Sequence, residues 1–485
     1  MSGAHRAMRL RFAPTPSGHL TVSAARIALV NALFAARYGG HLLLRLDDLD
    51  PARSKPAFAE AIAHDLAWFG LAFDATIRQS DRAASYQEAI ARLRAAGRLY
   101  PCFESPEELR FKQEQRQKRG QPTVYDRAML KLTAAQRATA EGKGKRPYWR
   151  LLLSDRELRW DDAVLGAQAA KLPAISDPVL VTAEGAVLPT LAAVVDDVAT
   201  GITHVIRGPQ GAAETAIQID LFEALNAPRP ALAHLPPLAD DRSAAIGRKA
   251  GAMTLRSLRA DGVMPAALAL CLAGPAADAS AAAREDVVAA LERAVLAAPV
   301  SDQSRADAAT PGTNAPAVQQ AAWLPVLAAG FTLPRGPAST PFESARLLRT
   351  NRRLLAAMPF PRVADRLPAG ATEAFWLALR GQVDLLSEAR GWWEVVAGTI
   401  VPPVIEGAQS LLHAARATLP PEPWDPEVFA HWCEALAAAT GEAPAAFEPV
   451  LRLALTGEET GPALSALLPL MGRTRAALRL QVAAS

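Results

Sequence analysis

The chain has 485 residues, half of them apolar and 21% charged, with a formal net charge of +3 and a pI near 8.8. That length demands more than one hydrophobic core, and the composition excludes both a disordered chain and a disulfide-stapled one. So mild a basic excess neither requires nor forbids an anionic partner, and any nucleic-acid surface must come from local clustering. Cys102, Cys271 and Cys433 lie far apart, without paired or metal-like spacing, so no structural zinc is expected and a reducing cytoplasm suits the chain. No stretch is apolar for long enough to span a bilayer, and Met1 to Arg11 lacks the apolar core of a leader. The expectation is a soluble, unprocessed cytoplasmic protein with no membrane partner.

In chain order, Met8 to Ala13 alternates as a strand does and runs into a Pro/Gly-punctuated turn, Pro14 to Gly18. From Ala24 to Tyr38, Ile27, Val30 and Phe34 recur at helical spacing, with Ser23 as the candidate N-cap and Gly39-Gly40 as the stop. A second strand, His41 to Leu46, follows and delivers Asp47, Asp48 and Asp50 to its end. This strand, loop, helix, strand unit predicts a parallel α/β sheet that binds ligands at the carboxyl ends of its strands beside a helix N-terminus.

The pattern changes between about Tyr100 and Leu191. A charged helix is expected from Glu107 to Arg119, and short strands around Trp149 to Leu153 and Pro178 to Val181. Sheet character returns with strands at Ala192 to Val195 and Ile202 to Ile206 and a helix from about Ala213 to Leu225. Between about Gly274 and Ala321 the chain is rich in Ala, Ser, Asp, Pro and Thr, which predicts a partly helical connector. Beyond Pro341 helical periodicity dominates, as at Phe375, Leu379, Val383 and Leu386, and Trp392-Trp393 and Trp432 are expected to pack internally.

Arg11-Phe-Ala-Pro-Thr-Pro-Ser-Gly18, Ala25-Arg26, Gly39-Gly40 and Leu44-Arg-Leu-Asp-Asp-Leu-Asp50 together resemble the opening of a glutamyl-tRNA synthetase. The resemblance continues in order through Tyr100-Pro-Cys-Phe-Glu-Ser-Pro-Glu-Glu-Leu109, Val124-Tyr-Asp-Arg127, Ser176-Asp-Pro-Val-Leu180, Val194-Val-Asp-Asp197 and Gly201-Ile-Thr-His-Val-Ile-Arg-Gly208. It resumes at Leu255-Arg-Ser-Leu-Arg259, Leu453-Ala-Leu-Thr-Gly457 and Leu467-Leu-Pro-Leu-Met-Gly-Arg473. It implies an α/β Rossmann-like class I synthetase catalytic domain with an inserted acceptor-binding subdomain, followed by an all-α anticodon-binding-type domain. The corresponding divisions are a catalytic domain in two halves, residues 1–99 and 192–235, an acceptor-end insertion at 100–191, and a signature loop with stem-contact region at 236–273. An Ala-rich connector follows at 274–340, then a helical domain at 341–485.

What the resemblance implies about activity is ATP-dependent activation of glutamate, with Mg²⁺ accompanying the ATP, and transfer of the acyl group to tRNA by a monomer. Arg11, Thr15, Asp47 and Arg207 fall at glutamate-binding positions, and Ser17, Gly18, Thr21, Ala24, Gly247, Arg248 and Lys249 at ATP-binding positions. Thr21 and Arg248 occupy the catalytic ones. Arg116, Lys118, Arg119 and Arg352 are the candidate tRNA contacts, since basic residues cluster on the insertion's helix and at the entry to the helical domain.

Both ATP signatures depart from the family pattern. Thr21-Val22-Ser23-Ala24 stands where a tetrad beginning with histidine is usual, and Ala245-Ile246-Gly247-Arg248-Lys249 where a Lys-Leu-Ser-Lys-Arg type is usual. A threonine hydroxyl lacks the reach and charge of an imidazole, and an arginine fork does not replace an ammonium at a phosphate. His19, two positions away, is expected to point elsewhere on the turn. In the pocket Asp47 stands for the usual glutamate, Pro189 and Ala193 for a tyrosine and a polar residue, and Pro209-Gln-Gly211 for an acidic stretch. Each lost transition-state donor costs about 10²–10³ in rate. The sequence thus leaves three readings: a glutamate–tRNA ligase weakened at its ATP motifs, a paralogue that only binds tRNA or another RNA, or an enzyme that activates a different carboxylate. Thr21 and Ser23 as plain caps, and Arg248 and Lys249 as solvated charges, remain alternatives.

Overall fold

The computed structural model describes residues 7–239, 253–273, 281–298 and 320–485. Gly247, Arg248 and Lys249 lie outside the described residues. The chain separates into two compact units, one from the described parts of Met1–Arg256, Ala269–Val287 and Arg305–Glu343, the other from those of Ser257–Leu268, Val288–Ser304 and Ser344–Ser485.

The first unit opens with β1 (Arg9–Phe12), α1 (Val22–Tyr38), β2 (His41–Leu46), α2 (Pro56–Trp68) and β3 (Ala75–Arg78). β1 and β3 both pair parallel with β2, with Arg11 opposite Leu43 and Arg45 opposite Ile77. α1 crosses over because its apolar residues repeat every three or four positions, burying Ala25, Leu29 and Leu33 completely. Gly39 ends it in the left-handed conformation, φ 63°, which glycine adopts without a Cβ penalty. The helix starts earlier than the Ser23 cap expected from sequence. Thr21 is the N-cap, with extended backbone and its hydroxyl accepting from the Ala24 N–H at 3.2 Å.

α3 (Ala83–Ala95) and β4 (Leu99–Cys102) are followed by α4 (Pro106–Lys118), α5 (Ala134–Gly142), β5 (Tyr148–Leu151), β6 (Glu157–Asp162), β7 (Gly166–Lys171) and β8 (Val179–Val181). β4, β5 and β8 form an antiparallel sheet. α4 starts with a Ser105/Glu108 capping box and buries none of its side chains.

Next come α6 (Pro189–Ala199), β9 (His204–Arg207), α7 (Thr215–Ala224) and β10 (Ala231–His234). Here the structure corrects the strand expected at Ala192 to Val195, which lies inside α6. The short Ala-Val-Val run looks like a buried strand, but Leu191, Val194 and Val195 share the buried face with Asp196 and Asp197, and Pro189 begins the first turn. β9 and β10 pair parallel, and β10 also runs parallel to β6, whose other edge carries β7 antiparallel. The Thr203 N–H donates to the Arg9 carbonyl at 2.9 Å, which sets the β9 end of this sheet beside β1. The chain leaves β1 toward β2 on one side and returns to β9 on the other. Such a reversal opens a crevice at the carboxyl ends of the two strands.

The second unit is helical. One core gathers Leu412, Trp432, Leu436, Phe447, Leu451, Leu455 and Leu480, and another Leu355, Phe375, Trp376, Leu379, Val383 and Leu467. Trp432 is fully buried with its indole N–H on the Ala415 carbonyl at 3.0 Å, and Trp393 packs edge-on against Phe375. Among the described residues no helix is long and apolar enough to cross a membrane.

Candidate active site

Three arginines reach the crevice from adjacent strands: Arg45 on β2, Arg11 on β1 and Arg207 on β9. Arg11, 5% exposed, directs its Nε at both oxygens of Asp197 on α6, at 3.1 and 3.3 Å. Arg45, 2% exposed, donates from Nη1 to the same Asp197 at 2.8 Å, and from Nε and Nη2 to the two oxygens of Asp47 at 2.7 and 3.2 Å. Burial alone would loosen the Arg45 proton, but Asp47 and Asp197 reverse that and raise its pKa. Asp47 is pushed upward, because burial outweighs the opposing pull of Arg45 and Arg11. With about four lone-pair sites on a carboxylate, Asp47 keeps acceptor capacity beyond the two bonds from Arg45, enough for an ammonium.

Arg207 is held differently. Its Nε donates to His234 Nε2 at 2.9 Å, Nη1 to Gln218 Oε1 at 2.8 Å, and Nη2 to the Gly211 carbonyl at 2.8 Å and Thr215 Oγ1 at 3.0 Å. All four partners are neutral acceptors. Two arginines share two carboxylates, and the third has no carboxylate at ion-pair distance among the described residues. Burial, with the nearby charge of Arg11, lowers the Arg207 pKa to about 10. Arg207 is part-buried, and Asp197, Glu214 and Asp162 favour its charge without reaching ion-pair distance, so an incoming carboxylate would add a direct counter-charge. Gly211 is part of the arrangement: a Cβ there would lie 2.3 Å from Arg207 Nε.

The turn after β1 and the start of α1 carry the remaining described candidates, Thr15 for glutamate and Ser17, Gly18, Thr21 and Ala24 for ATP. Thr15 and Ser17 are exposed, with the Ser17 N–H turned back onto the Thr15 carbonyl at 2.8 Å, and nothing lies within 4 Å of a Cβ built on Gly18. At the N-terminus of α1 the Val22 N–H donates to the Met253 carbonyl at 3.1 Å, and the Ala24 N–H is capped by Thr21. Two of the first-turn donors that a phosphate would meet are therefore already engaged. His19 packs edge-on against Phe58 and lies 3.4 Å from Arg256 Nη1 through Nε2.

Of the sequence-derived positions, the structure brings Arg11 and Asp47 together around Asp197 and Arg45, with Arg207 across the strand reversal. Ser17 and Gly18 lie in the turn after β1, Thr21 is the N-cap of α1 and Ala24 is in its first turn. On α4 the Arg116 Nε donates to the Pro122 carbonyl at 2.8 Å, while Lys118 and Arg119 are exposed. Arg352 is in the second unit and pairs with Asp384 at 2.7 Å. Sequence reasoning assigned no role to Arg45, Asp197, Asp162 or His234. The available signals were charges set into apolar surroundings, as in Leu44-Arg45-Leu46, Val195-Asp196-Asp197 and Ala233-His234-Leu235. Among the described residues no three His, Cys, Asp or Glu side chains are grouped to hold a metal.

A Rossmann-like crevice with arginines at its strand ends fits the class I synthetase type, and comparison with known proteins shows that class. Residues 7–292 match the model for tRNA synthetases class I (E and Q), catalytic domain, and residues 404–484 the anticodon binding domain. The chain is 48% identical over 477 residues to "Glutamate--tRNA ligase 2" of Granulibacter bethesdensis, covering 98% of both chains. It is 46% identical over 481 residues to "Glutamate--tRNA ligase 2" of Gluconacetobacter diazotrophicus, covering 98% of this chain and 100% of the relative. The fold is shared with the glutamate-tRNA synthetase of Elizabethkingia anophelis, at TM-score 0.76 and 21% identity with 99% of each chain covered. The chain belongs to the glutamate–tRNA ligase family of class I aminoacyl-tRNA synthetases.

Proposed function

We propose that this protein binds glutamate and ATP·Mg²⁺ and charges tRNA(Glu), with adenylate formation slowed by the altered phosphate-binding motifs. The observation that supports glutamate as substrate is Arg207, close enough to Arg11 to feel its charge yet without a carboxylate at ion-pair distance among the described residues, which offers a receptor for a carboxylate while Asp47 offers an acceptor for an ammonium. Neither reaction step needs a protein nucleophile. The protein's part is to align the carboxylate with the α-phosphate and to stabilise charge that grows on the phosphates. The second task is the one the sequence weakens, at Thr21 and at Arg248. The insertion, through Arg116, Lys118 and Arg119, and the helical domain, through Arg352, supply the RNA contacts in this reading.

A second reading, an RNA-binding paralogue that forms no adenylate, is favoured by the engagement of the Val22 and Ala24 N–H groups within the protein. Charging of total tRNA with labelled glutamate, beside a filter-binding titration, separates the two. Slow charging with salt-sensitive binding supports the ligase reading, and binding with no charging supports the paralogue. Absence of both overturns both.

A further inference from the structure

The support behind Arg207 extends through three strands. His234 is the register partner of Arg207 between β10 and β9, and Asp162 ends β6, which pairs with β10. Parallel pairing places the His234 and Arg207 side chains on one face, and His234 Nε2 receives the Arg207 Nε–H at 2.9 Å. On its other side His234 Nδ1 lies 2.5 Å from Asp162 Oδ2. Asp162 Oδ1 accepts from the backbone N–H groups of Val164, Leu165 and His234, at 3.0, 2.9 and 3.2 Å. Both side chains are buried, His234 at 2% exposure and Asp162 at 0%.

The directions of these bonds allow one proton arrangement. Arg207 can only donate, so His234 Nε2 must be the lone-pair nitrogen. The ring proton then sits on Nδ1 and points at Asp162, whose carboxylate is fixed by three backbone donors. The opposite tautomer would set an N–H against an N–H beneath Arg207. Thr215 Oγ1, 3.2 Å from Nε2, is the remaining polar neighbour of that nitrogen, and its hydroxyl also reaches the Gly211 carbonyl at 3.1 Å.

We propose that Asp162 and His234 are positioning residues which, by holding His234 in the Nδ1–H tautomer, aim the Arg207 guanidinium and thereby set the preference for a carboxylate over a carboxamide in the substrate. This rests on the reading that Arg207 meets a substrate carboxylate. A misaligned guanidinium still attracts negative charge but loses the directed N–H···O bonds that distinguish the two groups. The dyad acts on selectivity, which packing alone does not adjust.

The test is equilibrium binding to the full-length protein of glutamate, of glutamine, and of the α-amide of glutamate, each compared in wild type, His234→Gln, His234→Phe and Asp162→Asn. The Oε1 atom of the His234→Gln side chain supplies an acceptor where Nε2 stood. The expected result is that wild type and His234→Gln prefer glutamate to one of the two amides by similar factors, while His234→Phe and Asp162→Asn lose about tenfold or more of that factor. An unchanged factor in a folded His234→Phe overturns the proposal, as does loss in His234→Gln equal to that in His234→Phe. Should these variants not fold, ¹⁵N-histidine spectra of the wild type decide. The neutral Nδ1–H form at His234 supports the proposal, and the Nε2–H form or an imidazolium at neutral pH overturns it. If wild type binds none of the three ligands, it is the glutamate reading that fails, while the tautomer measurement still judges the dyad.

Discussion

At the scale of single residues, the site depends on which acceptors surround each arginine. Gly211 is the sharpest case, since its missing Cβ leaves the space that the Arg207 guanidinium fills. Gly211→Ala is expected to fold normally, because the displaced group is the end of a flexible side chain, yet to weaken glutamate binding at least tenfold by calorimetry. Asp162 gives a pH prediction. Burial opposes its ionisation, but the bonds from His234 and three backbone N–H groups win and lower its pKa to about 2. A carboxylate depressed below its ordinary value near 3.8 contributes stability that is full above pH ~4 and lost as pH falls through ~2. That contribution is about 2 kcal/mol, and the acid end of a urea-denaturation series should show it in wild type and lack it in Asp162→Asn. Thr21 serves the helix as its cap, so Thr21→His combined with Arg248→Lys restores an imidazole and an ammonium. The double variant is expected to raise glutamate-dependent ATP–pyrophosphate exchange by about 10² or more. No gain would mean that the weakness lies deeper than these two loops.

At the scale of elements, the parts legible in the sequence were those whose pattern has one physical solution. β1, α1 and β2 read directly, because alternation, a helical repeat and Gly39-Gly40 follow in one short stretch. α4 was legible from its charged run, while the Ser105/Glu108 capping box that starts it came only from the structure. α6 was not legible as a helix, because Ala192 to Val195 is too short a run to distinguish the two periods. Its buried Asp196 and Asp197 were recognisable only once their arginine partners were known. Those partners lie over a hundred positions away, and no local pattern carries such a pairing. Asp197→Asn leaves Arg11 and Arg45 short of a counter-charge and should destabilise the first unit by about 3–5 kcal/mol in chemical denaturation. On α4, Arg116, Lys118 and Arg119 changed together to glutamine should flatten the salt dependence of tRNA binding, with log Kd against log salt falling by about 0.7–0.9 per lost contact. An unchanged slope would remove α4 from the RNA surface.

At the scale of the whole molecule, family and fold follow from many ordered motifs and from the strand reversal between β1 and β9. The chemistry follows from individual atoms. Arg11 and Asp47 are joined through Asp197 and Arg45, and Arg207 is held by His234, Gln218, Gly211 and Thr215, while Thr21 caps α1; in the proposed function the arginines and Asp47 take the carboxylate and ammonium, and the α1 end, where the family pattern carries an imidazole, takes the phosphates. The account therefore separates two properties that usually travel together, recognition of the amino acid and speed of its activation. The measurement that tests this most directly is glutamate-dependent ATP–pyrophosphate exchange with tRNA present, run beside glutamate binding on the same preparation. The account predicts clear glutamate binding with exchange about 10⁴-fold or more below the ordinary enzymatic range of about 1–10³ s⁻¹. Exchange within that range, with Thr21 and Arg248 in place, would contradict it.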